Sequence, residues 1–204
     1  DGDRGILIDD KGEILDGDFT LAIMAKHLKH KNKLDGVVGT VMSNMGLKAL
    51  LREHGINFIC ANVGDKYVLE ALLKNNLSIG GEQSGHIIFL DHLSTPDGLL
   101  TALQMLRVMK EEGKSLSQLR TCMTKFPQVL VNVKVKERKP FEQMPEVDAM
   151  LKDCTSRLKD DGRILLRYSG TELLARVRVE GRERNVIEDI ANSLATEIKQ
   201  LIGV

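Results

Sequence analysis

The chain has no tryptophan and only two tyrosines and five phenylalanines among its 204 residues. Aromatic stacking is therefore a weak basis for reading nucleic-acid bases or for seating a sugar. An excess of charge of one sign is also missing, since 29 Lys and Arg balance 29 Asp and Glu. That balance gives no basic patch for nucleic acid and no acidic tail for a basic partner. Apolar runs stay far short of the roughly 20 residues that cross a bilayer, so no membrane is expected as a partner. No signal peptide opens the chain. Cysteine is scarce: Cys60, Cys122 and Cys154 are far apart, odd in number and form no CxxC pair. Neither a disulfide framework nor a zinc site is expected, and three half-buried thiols fit a reducing cytoplasm. The first residue is Asp1 rather than Met, and the chain begins abruptly in charged residues and glycine, which reads as a fragment or a processed product.

What is present is an alternation of strand-like and helix-like patterns, in a length that fits one large domain or two small ones. Residues 5–9 read as a short buried strand, with breaks at 10–12 and 16–18. Residues 19–29 place Leu21, Ile23, Met24 and Leu28 at helical spacing. A buried strand follows at 37–41. Ser43 and Asn44 cap a helix to about residue 54, and Gly55 ends it. A strand at 56–61, a helix from Asp65 to about residue 74 and short strands at 78–80 and 86–90 come next. Asp97 then caps a helix to about residue 111. This rhythm predicts an α/β unit with a mixed sheet covered by helices. After a linker near 124–128 the pattern changes. A strand with one polar face at 129–135, a helix at 144–159, strands at 163–167 and 174–180 and a long amphipathic helix at 183–201 predict a small α+β unit. Its helices pack on one face of the sheet.

Three polar loops interrupt this scaffold. In Asp1-Gly2-Asp3-Arg4, two carboxylates flank a glycine and can turn to one point, where hard oxygen donors suit Mg²⁺. In Gly80-Gly81-Glu82-Gln83-Ser84-Gly85-His86, a carboxylate, a hydroxyl and an imidazole alternate along a flexible backbone, a set suited to sugar hydroxyls. In Arg167-Tyr168-Ser169-Gly170-Thr171-Glu172, followed by Arg176, two guanidiniums and two hydroxyls flank a glycine-bearing turn, which makes an anion cradle. Each loop alone also reads as an ordinary solvated turn. Together they predict metal, sugar-hydroxyl and phosphate sites, the equipment of an enzyme that moves a phosphoryl group on a sugar.

The same loops, in the same order, resemble the α-D-phosphohexomutase family over essentially the whole chain. The segment Gly81-Glu82-Gln83-Ser84-Gly85-His86 looks like the phosphoglucosamine mutase branch; phosphomannomutase/phosphoglucomutase enzymes commonly have Met where Gln83 stands. Asn62-Val63-Gly64-Asp65-Lys66-Tyr67-Val68 is similar to the GDRYV segment of that branch. The resemblance implies four domains. Residues 1–15 would end domain 2 with part of a metal loop, 16–125 would form the sugar-binding domain 3, and 126–204 the phosphate-binding domain 4. It implies that Asp1 and Asp3 are the last two carboxylates around Mg²⁺. Arg4 would lie beside a phosphoserine and His86 close to the reacting end, both as catalytic groups. Gly64, Asp65, Glu82 and Ser84 would bind the sugar. Arg167, Ser169, Gly170, Thr171 and Arg176 would hold the phosphate that is not transferred. The implied reaction interconverts glucosamine 6-phosphate and glucosamine 1-phosphate through phosphoserine and a bisphosphate. Implied partners are the phosphosugar and the N-terminal domains of the same enzyme, with a homodimer left open. No segment here resembles the family's serine loop, so neither Ser84 nor Ser169 is expected to be the nucleophile. Leu173 stands where the family usually has Pro, and Tyr168 where Pro, Lys or Glu is more usual, which implies a less rigid phosphate loop. Three alternatives stay open: a phosphomannomutase/phosphoglucomutase, a phosphosugar-binding module without turnover, and a structural or interaction domain with no phosphate affinity.

Overall fold

A computed structural model describes the backbone of residues 1–204 and every side chain except that of residue 160. The chain divides into two compact units, 1–125 and 126–204.

The first unit opens with a two-stranded antiparallel hairpin, β1 (Leu7–Ile8) and β2 (Ile14–Leu15). The burial expected for residues 5–9 holds only in part: Gly5 and Asp9 are buried and Leu7 is intermediate. Ile6 and Ile8 are 47% and 66% exposed, because β1 pairs with β2 alone and no further strand extends that sheet. The main sheet runs in the order β4 (Asn57–Ala61), β3 (Gly36–Thr40), β5 (Ile79–Gly81), β6 (Ile87–Phe89). β3 is parallel to β4 and β5, and β6 is antiparallel to β5, so the sheet is mixed. Both faces are covered, which explains why every residue of β3 is buried. Val37 joins a core built with α1 (Gly17–His30), α2 (Met45–Glu53) and α4 (Gly98–Glu112). Its neighbour Val38 joins a second core under α3 (Asp65–Asn75), with Val68 and Leu72.

Helix starts follow local chemistry. Asp16, Asn44 and Asp97 cap α1, α2 and α4 by accepting from Phe19, Gly46 and Leu100 amides. A short helix missed by periodicity, α5 (Leu116–Leu119), is held by a capping box between Ser115 and Gln118. Four residues are too few for a periodic signal.

In the second unit β7 (Gln128–Lys134), β9 (Leu174–Gly181) and β8 (Gly162–Tyr168) form an antiparallel sheet in that order. The helices α6 (Pro145–Leu158) and α7 (Arg184–Ile202) pack on one face, against Val133, Val177, Val179 and Leu166. The opposite face carries the alternate rows Asn132–Arg176–Arg167 and Gln128–Glu180–Arg163. The three cysteines are unpaired, but they are not uniformly half-buried: Cys60 is exposed, Cys122 intermediate and Cys154 buried.

Candidate functional site

Each unit carries one cluster. In the first, the opening loop of the chain runs beside the turn between β5 and β6. Arg4 and His86 form an isolated antiparallel bridge, and the Gly5 amide donates to Gly85 O at 3.0 Å. The turn is closed by the Glu82 amide donating to His86 O at 2.9 Å and the Gly85 amide donating to Glu82 O at 3.0 Å. Gly85 sits at φ +96°, where a side chain would be strained. Gly17 matters for a different reason: a Cβ there would stand 1.9 Å from Glu82 O, so only glycine lets the start of α1 lie against the turn.

This backbone brings four side chains onto one imidazole. Arg4 Nε donates to His86 Nε2 at 3.0 Å, which makes Nε2 the acceptor and leaves the ring proton on Nδ1. Nδ1 faces Glu82 Oε2 at 3.0 Å and Ser84 Oγ at 3.2 Å. Asp3 Oδ2 lies 3.5 Å from Nε2. Glu82 is buried, and its other oxygen accepts the Gly64 amide at 2.9 Å. A buried carboxylate is tolerable where both oxygens find donors. Asp65 stays outside the cluster, exposed and accepting the Lys66 amide, and Asp1 is exposed at the chain start. Gln83 Nε2 donates to Asp16 Oδ2 at 3.3 Å, and Lys125 Nζ shares that oxygen at 2.5 Å, so Gln83 ties the turn to the cap of α1. Asp18, which no motif singles out, is fully buried beside this cap. Its Oδ2 accepts the Asn44 amide at 2.8 Å, its Oδ1 has no partner, and burial pushes its carboxyl up to about 6.

In the second cluster, strand register sets Arg167 directly opposite Arg176 on one sheet face. Like charges facing each other across a sheet repel, and an anion between them offsets that repulsion. Arg176 Nη2 donates to the buried Ser169 Oγ at 3.3 Å and lies 4.0 Å from Glu172 Oε2, while Arg176 Nε is buried without a partner. Arg167, Gly170 and Thr171 are exposed. The Ser169 amide donates to Leu174 O at 2.8 Å and closes the base of the loop. Two guanidiniums, a hydroxyl and a turn suit one small oxyanion. The charged turn that follows β7 also meets this loop, which its sequence did not announce. Arg138 Nη2 donates to Gly170 O and to Glu172 O, each at 3.1 Å.

A family model described as "Phosphoglucomutase/phosphomannomutase, alpha/beta/alpha domain III" matches residues 16–126, and the corresponding "C-terminal domain" matches 130–197. The chain belongs to the phosphoglucomutase/phosphomannomutase family. Among curated family members, the phosphoglucosamine mutases of Chlamydia abortus and Geobacter metallireducens are 46% and 48% identical over 100% of this chain. The chain spans about half the length of these relatives, 45% and 46%. Among solved structures, Aspergillus fumigatus N-acetylphosphoglucosamine mutase in complex with GlcNAc-6P and magnesium aligns with a TM-score of 0.78 at 22% identity, over 97% of this chain and 50% of that one. A phosphoglucomutase/phosphomannomutase family protein from Burkholderia thailandensis aligns at 0.75 with 21% identity, over 98% of this chain and 45% of that one. At that identity the structural likeness shows the shared fold.

One solved structure of the same fold is in complex with magnesium, and the donors of this chain can be weighed directly. Among the described residues no group of three or more His, Cys, Asp or Glu side chains is arranged to hold a metal ion. Asp1 and Asp3 are hard oxygen donors of the kind Mg²⁺ takes, and Asp3 already borders the Arg4–His86 contact. They fit as part of a magnesium shell and fall short of a whole one. No helix among the described residues is long and apolar enough to cross a membrane.

Proposed function

We propose that this chain is the sugar- and phosphate-recognising half of a phosphoglucosamine mutase, which interconverts glucosamine 6-phosphate and glucosamine 1-phosphate. One observation carries the reading: a single imidazole, His86, gathers Glu82 and Ser84 from one loop and Asp3 and Arg4 from another. Relatives of that name, 46–48% identical over the whole chain, support the choice of sugar. In this reading residues 1–15 close the second domain of the full enzyme, 16–125 form the third and 126–204 the fourth.

Glu82, held buried by Gly64 and His86, accepts from sugar hydroxyls together with Ser84, and the exposed Asp65 adds a contact from outside that cluster. Arg167 and Arg176, with Ser169 and the turn at Gly170 and Thr171, hold the phosphate that is not transferred. The phosphoryl donor is a phosphoserine in the remaining length of the enzyme. Its serine–phosphorus bond breaks as a sugar oxygen takes the phosphoryl group, giving a bisphosphate and a free serine. After the intermediate turns round, the other phosphate returns to that serine and the isomeric monophosphate leaves. Asp1 and Asp3 would hold part of a Mg²⁺ shell, and the bound ion would supply charge neutralisation at the transferring group. Arg4 adds a fixed cation there, and His86 sits with its ring nitrogens satisfied at the reacting end. Most of the catalysis is positioning and electrostatics. The setting is a reducing cytoplasm, in keeping with three unpaired thiols.

Isothermal titration of glucosamine 6-phosphate into the 204-residue chain tests this. Weak binding, lost in Arg167→Ala, and no turnover are expected. Binding that ignores Arg167→Ala, or no binding at all, removes the phosphate assignment. In the intact enzyme, faster turnover of mannose phosphates than of glucosamine phosphates moves the assignment to a phosphomannomutase/phosphoglucomutase.

A further inference from the structure

We propose that Arg138 is a positioning residue that presents the amides of the 169–173 loop to the ligand phosphate, braced from behind by Tyr168 and Phe141. The inference rests on the reading of that loop as the phosphate site. The loop is fixed at its base, where the Ser169 amide donates to Leu174 O at 2.8 Å and the Leu174 amide to Glu172 O at 2.9 Å. Nearer the tip, Leu173 O accepts the Val135 amide at 3.0 Å, but Gly170 and Thr171 take part in no such backbone bond among the described residues, and Gly170, Thr171, Glu172 and Leu173 are all exposed. No proline stiffens it, since position 168 is Tyr and position 173 is Leu. A tip that free would have to be ordered by the ligand, and that ordering weakens binding.

Arg138 supplies the order in advance. One guanidinium nitrogen takes both the Gly170 and the Glu172 carbonyls, at 3.1 Å each, from 32 and 34 residues away in sequence. In a trans peptide the N–H points opposite to the C=O. Holding those two carbonyls therefore turns the Thr171 and Leu173 amides to the side away from Arg138. It also occupies carbonyl lone pairs that would repel a phosphate. The segment bearing Arg138 is itself anchored. The Tyr168 hydroxyl donates to Lys139 O at 2.5 Å, and its ring stacks on Phe141 with centroids 4.6 Å apart and planes 8° from parallel. Burial raises the Tyr168 hydroxyl above its ordinary range, which keeps it a donor.

The test is an NMR titration of the 204-residue chain with glucosamine 6-phosphate, together with ¹⁵N order parameters of residues 170–173. Arg138→Met should weaken binding by roughly three- to tenfold and lower those order parameters, with α7 unchanged. Arg138→Lys keeps the charge without the two-carbonyl contact and should recover little of either. Tyr168→Phe keeps the stack, loses the hydroxyl and should fall between. A chain that binds, loses affinity in Arg167→Ala and keeps full affinity in Arg138→Met overturns the brace while leaving the phosphate site standing. Full recovery in Arg138→Lys with unchanged order parameters reduces Arg138 to a through-space charge and also overturns it. A parent chain that does not bind overturns the phosphate reading, and the positioning role with it.

Discussion

Asp18 lies in the first turn of α1 with no exposed surface and one oxygen without a partner. Burial is the main reason its carboxyl sits near 6 rather than 3.8. The folded state therefore keeps a proton that the unfolded state releases, and stability falls as pH rises through that interval. Asp18→Asn should raise stability on the order of 2–3 kcal/mol at pH 7–8 and leave it nearly unchanged near pH 4. Denaturant midpoints across a pH series check this, and a difference that does not vary with pH counts against it. The thiols give a second test at this scale. Burial pushes Cys122 up to about 11 and raises Cys154, while Cys60 is exposed. Because the thiolate is the reactive form, iodoacetamide near pH 8 should label Cys60 first and the other two only on unfolding. Mass spectrometry of partly labelled protein reads the order. Asp18 was illegible in the sequence, since an acid at a helix start reads as an exposed capping group. Glu82, Ser84 and His86 could be singled out because they alternate in a glycine-rich loop.

At the scale of elements, most starts and stops obey rules that act within four residues. Asn44 and Asp97 were readable as caps, and both accept from amides two or three residues on. α5 was missed because one turn has no period to detect. The short β1 was found but its exposure was not, because burial depends on which strands pair beyond it. The approach of α1 to the β5–β6 turn is likewise a tertiary fact. Gly17→Ala would drive a methyl group into the Glu82 carbonyl, with an approach of 1.9 Å. The expected cost is about 1–3 kcal/mol or more, as for other overpacked sites. It should also displace the Glu82–His86 turn, so binding should suffer more than in an alanine variant of an exposed glycine outside both clusters, such as Gly113. A drop in melting temperature without any change in glucosamine 6-phosphate affinity would separate the helix contact from the site.

At the scale of the molecule, the two units build their cores separately, two in the first and one in the second, and each unit carries its own cluster. The second unit closes around Val177, Val179, Ile190, Leu194 and Ile198, all from within residues 126–204. Leu194→Ala, at a fully buried position, should cost that unit about 2–5 kcal/mol. Hydrogen exchange should then speed up across β7, β8 and β9 and stay as before in β3 and β5. Uniform acceleration through both units would mean that they unfold as one body.

The sequence by itself determined the succession of elements, the change from an α/β to an α+β pattern, and the three polar loops with their residue types. Those follow from periodicity, capping chemistry and composition, which act over a few neighbouring residues. Only the tertiary structure decided who meets whom. Arg4 reaches His86 across 82 residues, Arg138 reaches Gly170 across 32, and Arg167 stands against Arg176 because of strand register. Such meetings depend on how sheets register and helices pack, and no local pattern of residue types encodes the distance between two loops once the chain has folded.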